Sequence, residues 1–105
     1  MSYQSLAVKL KVCADATRLE ILDLLSCDEL CADNILKYFN ISQPTLSHHM
    51  KVLVAHHFVE VRKEGNKRMY RLNQEHYQQL IQQLNQIHQS NPMCICNDLE
   101  RGGSQ

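Results

Sequence analysis

The chain has 105 residues, 44% of them apolar and 21% charged, which is room for one globular domain with a single modest core. Eleven Lys and Arg balance eleven Asp and Glu, so the chain as a whole is no polycation. No run approaches the ~18 consecutive apolar residues of a membrane span, and the opening Met1-Ser2-Tyr3-Gln4 lacks the basic start and apolar stretch of a secretory signal, so a cytoplasmic protein is expected.

The first helix is predicted over residues 3–14, where Tyr3, Leu6, Ala7, Leu10, Cys13 and Ala14 recur at helical spacing. Asp15 or Thr17 can cap a second helix that runs to about Leu25 through Leu19 and Leu22. A polar link, Ser26-Cys27-Asp28-Glu29, leads to a third helix from about Leu30 to Phe39, with Ala32, Ile35, Leu36 and Phe39 on its apolar face. After Asn40-Ile41, Ser42 caps a fourth helix with Pro44 in its first turn. That helix continues to about His56 and packs through Leu46, Met50 and Leu53, while Gln43, Thr45, Ser47, His48 and Lys51 line its other side. Two helices joined by a short turn, the second small and polar on its outer face, make a helix-turn-helix.

The hydrophobic period then drops to two. Phe58–Val61 and Met69–Leu72 read as strands, joined by the tip Arg62-Lys63-Glu64-Gly65-Asn66-Lys67-Arg68 with Gly-Asn at its turn. A last helix starts at Asn73 and carries the stripe Tyr77, Leu80, Ile81, Leu84 and Ile87. The first and last helices are expected to pack on a second copy of the chain. Residues 1–89 are thus read as a DNA-binding and dimerisation domain, and residues 90–105, with Pro92, Gly102 and Gly103, as a flexible tail holding Cys94-Ile95-Cys96. The fold class is mainly α with a small β-hairpin, a dimeric winged helix-turn-helix.

Charge is distributed unevenly along this order. Residues 41–72 hold six Lys or Arg against two Asp or Glu, a net of +4, whereas the segments on either side are each −2. A basic block confined to the helix-turn-helix and hairpin is a local polyanion-binding surface. Gln43, Thr45, Ser47 and His48 are the candidates for base edges, since Gln can pair with adenine and Ser or Thr is tolerant. Lys51, Lys63, Lys67 and Arg68 are the candidates for phosphates of double-stranded DNA.

Five cysteines, at 13, 27, 31, 94 and 96, are an odd number and argue against a disulfide framework. In a reducing compartment they are thiols, available to soft ions or to redox chemistry. Cys13 lies on the stripe of the first helix and reads as a small core residue.

Ile41-Ser42-Gln43-Pro44-Thr45-Leu46-Ser47-His48-His49-Met50-Lys51-Val52-Leu53 resembles the recognition segment of the ArsR/SmtB family of metal- and metalloid-responsive repressors. Ala14-Asp15-Ala16-Thr17-Arg18-Leu19-Glu20-Ile21-Leu22 resembles that family's second helix, and Leu25-Ser26-Cys27-Asp28-Glu29-Leu30-Cys31 the approach to its thiol sensor. The tail's Cys-Ile-Cys is similar to that of the family's arsenical-resistance repressors from Gram-positive bacteria. The resemblance spans about residues 3–89. It implies a repressor that leaves its operator when an inducing ion binds, arsenite or antimonite first, and implicates Cys31 in the site.

One departure stands out. Arsenical sensors of this family usually carry Glu-Leu-Cys-X-Cys, and here Glu29-Leu30-Cys31-Ala32 is followed by Asp33. A three-thiol site therefore needs two of Cys27, Cys94 and Cys96 beside Cys31. If the link before Cys31 were helical, Cys27 would share its face at i, i+4. Asp33 offers an oxygen that suits zinc or cadmium better than arsenite. Two alternatives keep the fold: induction by cadmium, lead or zinc, and induction by thiol oxidation. A metal-buffering protein without an operator is disfavoured by the basic block. A zinc set on the last helix would have to use His76 and His88, which lack a suitable carboxylate pattern. No Gly-rich phosphate loop or nucleophile constellation is present, so no enzyme is expected.

Overall fold

The computed structural model describes residues 2–88. In chain order these form α1 (Tyr3–Cys13), α2 (Ala16–Leu25), β1 (Leu30–Cys31), α3 (Ala32–Leu36), α4 (Gln43–Ala55), β2 (Val59–Glu64), β3 (Lys67–Leu72) and α5 (Gln74–His88). The helix starts are set by short polar side chains that accept from otherwise unpaired backbone N–H groups. Ser2 accepts from Ser5 at 3.3 Å, Asp15 from Arg18 at 3.1 Å, Ser42 from Thr45 at 3.3 Å and Asn73 from His76 at 3.1 Å. Pro44 sits in the first turn of α4, where its missing N–H costs nothing.

The end of α4 is a Schellman turn. The N–H of His57 donates to the Val54 carbonyl and that of Phe58 to the Leu53 carbonyl. His57 takes the left-handed position there, with φ 67°. The chain then enters β2 directly, with Phe58 and Val59 fully buried. Glu64 pairs with Lys67 across the hairpin, leaving Gly65-Asn66 as a two-residue turn. Gly65 is at φ 63° and Asn66 is not in the positive region, the pattern of a type II′ turn.

All five helices contribute to one core of Leu6, Val12, Ile21, Leu22, Leu25, Ile35, Leu46, Met50, Leu53, Phe58, Val59, Tyr70 and Leu80. The mainly α architecture with a hairpin is as expected, but the third helix, the core face of α2 and the strand limits differ from expectation. The third helix does not begin at Leu30. Leu30 and Cys31 instead pair with Tyr70 and Met69 of β3, so the sheet has three strands in the order β1-β3-β2. The helix is short, and Tyr38 and Phe39 follow in tight turns whose N–H groups donate three residues back. On α2 the core takes Ile21 with Leu22 and Leu25, and Leu19 is 53% exposed. On α1 it takes Leu6 and Val12, and Tyr3 (74% exposed) and Leu10 face outward. The strands also run further into the hairpin tip than the apolar residues indicated.

Asp15 gives a direct pH test of this framework. The Arg18 N–H that it accepts holds its carboxyl below the ordinary carboxylate value. A lowered folded-state pKa contributes stability above the unfolded value and loses it as pH falls through the folded one. Asp15→Ala is therefore expected to cost about 1 kcal/mol at pH 7. The gap to the parent should narrow as pH falls below about 4, as read by urea unfolding at a series of pH values. A gap that stays constant down to pH 3 would mean that the cap does not depend on the ionised carboxylate.

Candidate nucleic-acid interface and thiol site

Burial of Leu46, Met50 and Leu53 against the core turns the opposite side of α4 outward. Gln43, Thr45, Ser47, His48 and Lys51 are all exposed there. The Thr45 hydroxyl oxygen also accepts from Ser42 Oγ at 3.0 Å, so this residue serves the helix cap as well as the outer face. His49, one step round the helix, is half-buried and accepts through Nδ1 from Arg18 Nε at 3.2 Å.

The wing lies beside this helix. Lys63 and Arg68 are directly paired across β2 and β3, as are Val61 and Tyr70, and cross-strand partners share one face of a sheet. That face looks onto α4. A groove of about 330 Å³ runs between them, with Met50, Val54, Val61 and Tyr70 in its floor and Lys51, Lys63 and Arg68 along it. Three of the four predicted phosphate contacts thus meet in one groove. Lys67 projects at the hairpin tip, exposed. Arg68 also borders Gln43 and Ser47 from the α3 side, so it joins the helix-turn-helix to the wing.

Arg62, which belongs to the same basic tip, is otherwise engaged. Its Nη2 and Nε meet the two carboxylate oxygens of Glu29 at 2.7 and 2.9 Å, and Nη2 also reaches Glu64 at 3.1 Å. The guanidinium holds the Glu29 carboxyl below its usual range. This fork ties the residues just before β1 to the wing. Neither the Arg18–His49 nor the Glu29–Arg62 pair carries a sequence signal, because each joins residues far apart in the chain.

The thiols occupy unlike places. Cys31 is buried (6% exposed) on β1. Cys27 is exposed in the turn after α2, with Sγ 4.0 Å from Ser26 Oγ. The link between them is turn and strand, not helix, so the helical argument for their convergence lapses. Cys13 is half-buried, and burial pushes its thiol pKa up, as suits a core residue. Cys94 and Cys96 lie outside the described residues. Among the described residues no three His, Cys, Asp or Glu side chains gather closely enough to hold a metal ion. Cys31 and Asp33 do line one crevice of about 230 Å³ with Asn66, Lys67 and Arg68 of the wing. Cys31 and the basic tip of the wing therefore border the same space. On α5, His76 is wedged against Phe58 with ring centroids 4.7 Å apart. Its Nε2 is buried without a partner, and burial lowers its pKa, with Lys9 and His57 adding to the effect.

Large apolar side chains are also exposed on the two terminal helices. Tyr3, Val8 and Leu10 of α1 and Tyr77, Leu84 and Ile87 of α5 are exposed, and the two helices lie against each other. No helix among the described residues is long and apolar enough to cross a membrane.

Residues 15–61 match the model of the bacterial regulatory protein family arsR. The chain is 53% identical to an arsenical resistance operon repressor of Staphylococcus aureus over 97% of its own length and 98% of that protein. It is 36% identical, over 69% of its length and 60% of the other's, to a homologue of the cadmium resistance regulatory protein CadC from Staphylococcus aureus. Among solved structures, a homodimeric winged helix-turn-helix DNA-binding domain from Mycobacterium bovis, described as a possible ArsR-family regulator, superposes with a TM-score of 0.67. That domain is 27% identical, with 82% of each chain covered.

Proposed function

This chain belongs to the arsR family of bacterial regulatory proteins, and from that membership we propose that it represses transcription by binding operator DNA as a homodimer and is released by a thiophilic ion, arsenite or antimonite. The observation that carries the reading is the groove in which Lys51, Lys63 and Arg68 converge beside the exposed polar edge of α4. It supports a duplex with α4 in the major groove and the wing on the flanking backbone. Gln43, Thr45, Ser47 and His48 then meet base edges, and Lys51, Lys63, Lys67 and Arg68 meet phosphates. The exposed apolar residues of α1 and α5 support a second copy as the partner, and the homodimeric relative agrees with it. Residues 1–89 act as the DNA-binding and dimerisation unit, in the cytoplasm, and residues 90–105 as a tail that brings Cys94 and Cys96 to Cys31 and Cys27.

The release step acts through the wing as well as through α3. Cys31 is bonded to β3, and Glu29 to Arg62, so displacing Cys31 toward other thiols loosens the strand that borders Lys67 and Arg68. A second reading, induction by cadmium, lead or zinc, is favoured by one observation: the Asp33 carboxylate borders the same crevice as Cys31. Oxidation of the thiols is the remaining alternative.

Fluorescence anisotropy on a duplex from upstream of this protein's own operon tests the proposal. Tight binding by reduced protein is expected, abolished by near-stoichiometric arsenite. Release by cadmium, zinc or an oxidant but not by arsenite replaces the inducer and keeps the repressor. The logarithm of affinity should fall with the logarithm of salt concentration at a slope of about −7, for eight phosphate contacts per dimer. A nearly flat dependence would remove the assignment of the basic residues.

A further inference from the structure

α4 is held by more than its apolar side. Arg18, in the first turn of α2, donates through Nε to His49 Nδ1 at 3.2 Å and through Nη1 to the Val12 carbonyl at 3.1 Å. Val12 closes the buried side of α1. One planar cation therefore joins α1, α2 and α4. We propose that the Arg18–His49 contact is a positioning device that fixes the rotation of α4 about its own axis and so sets how well the protein tells its operator from other DNA.

Contacts of Leu46, Met50 and Leu53 with the core are non-directional and allow small rotations of the helix. A guanidinium has donors in a fixed fork, and hydrogen bonds weaken steeply as they bend. Side chains on a helix turn together, so holding His49 inward fixes where Ser47 and His48 point. Base contacts require that placement, whereas lysine contacts to phosphate tolerate its loss. Because Arg18 only donates, His49 Nδ1 carries no proton, and the neutral ring has its hydrogen on Nε2. Asp15, which accepts the Arg18 backbone N–H, is the carboxylate on this side of the pair. His48 is the neighbouring ring, with centroids 5.8 Å apart. The Val12 arm adds reach, since it carries the same constraint to the end of α1. The proposal rests on the functional reading above only in taking α4 as the helix that meets bases.

Two measurements test it on the intact protein. Nitrogen NMR of the histidine rings at pH 8 should find His49 in the Nε2–H tautomer, and the Nδ1–H tautomer would overturn the contact whatever happens on DNA. Anisotropy should then compare His49→Leu with His49→Asn, whose Oδ1 takes the acceptor's place. The Leu variant should lose about tenfold or more in operator affinity while binding unrelated duplex within about twofold of the parent. The Asn variant should recover most of the loss. Arg18→Lys, which keeps the charge and loses the fork, should behave like Leu and serves if the Leu variant does not fold. Operator affinity unchanged in His49→Leu, or an equal loss in Leu and Asn, overturns the proposal. If the parent prefers no operator, the functional reading fails and the ring tautomer alone decides the contact.

Discussion

Cys31→Ala is expected to leave operator affinity within about twofold of the parent and to abolish release by arsenite, a change of about 100-fold or more in operator affinity at saturating ion. Cys31 contributes a backbone pair to β3 and a small buried side chain, and Ala preserves the strand and most of the packing. What it removes is the thiolate, without which a soft ion has no purchase on β1. Anisotropy with and without arsenite measures both halves of the statement. Retained induction would move the sensor to Cys27 and the tail thiols. Loss of operator binding in the absence of ion would make Cys31 a structural residue of the wing. The same variant does not separate the ions, because a site that uses Asp33 for cadmium or zinc also needs Cys31 and should lose both responses together.

Phe58→Ala is the substitution expected to damage the fold most. The ring is fully buried and packs edge-on to His76 at 4.7 Å, a favourable aromatic geometry. The backbone of the same residue closes the Schellman turn of α4 and accepts from the Asn73 N–H at the start of α5. Phe58 therefore stands where the recognition helix, the wing and the last helix meet. Truncation should cost about 3–5 kcal/mol, against a total of about 5–15 kcal/mol for an ordinary domain. Urea unfolding at fixed protein concentration should register a midpoint lowered by about 2 M, taking a slope of roughly 1–3 kcal/mol per molar. A loss under 1 kcal/mol would mean that the site collapses around the missing ring and that α5 is held elsewhere.

The parts of the fold written in local chemistry were the legible ones. Ser42 with Pro44 announced α4, Gly65-Asn66 announced the turn, and the stripe of α5 was right in position because helical spacing is local. β1 was not legible. Leu30 and Cys31 sit at the head of a helical pattern, and only the waiting edge of β3 makes them a strand. Periodicity on α2 also picked out Leu19, which is exposed, and passed over Ile21, which is fully buried. The basic tip was read correctly as a charge block, yet Arg62 within it is spoken for by Glu29. Charge counting gives where cations are, and only geometry gives which of them are already paired. For the thiols, spacing and resemblance offered candidates and a departure at Asp33. The structure added that Cys31 is inside the wing sheet and Cys27 outside it.

The shortness of β1 has a kinetic consequence. Among the described residues its backbone ladder is two residues long, and a partly exposed ion pair from Glu29 adds to it, such pairs being weak. Segments held by so short a ladder lie at the low end of a fold's local stabilities and can open without unfolding of the whole domain. A protein built this way need not be taken apart to change state. Under the proposed function, the response is then limited by how fast the ion reaches the open edge, and the return by how fast it leaves.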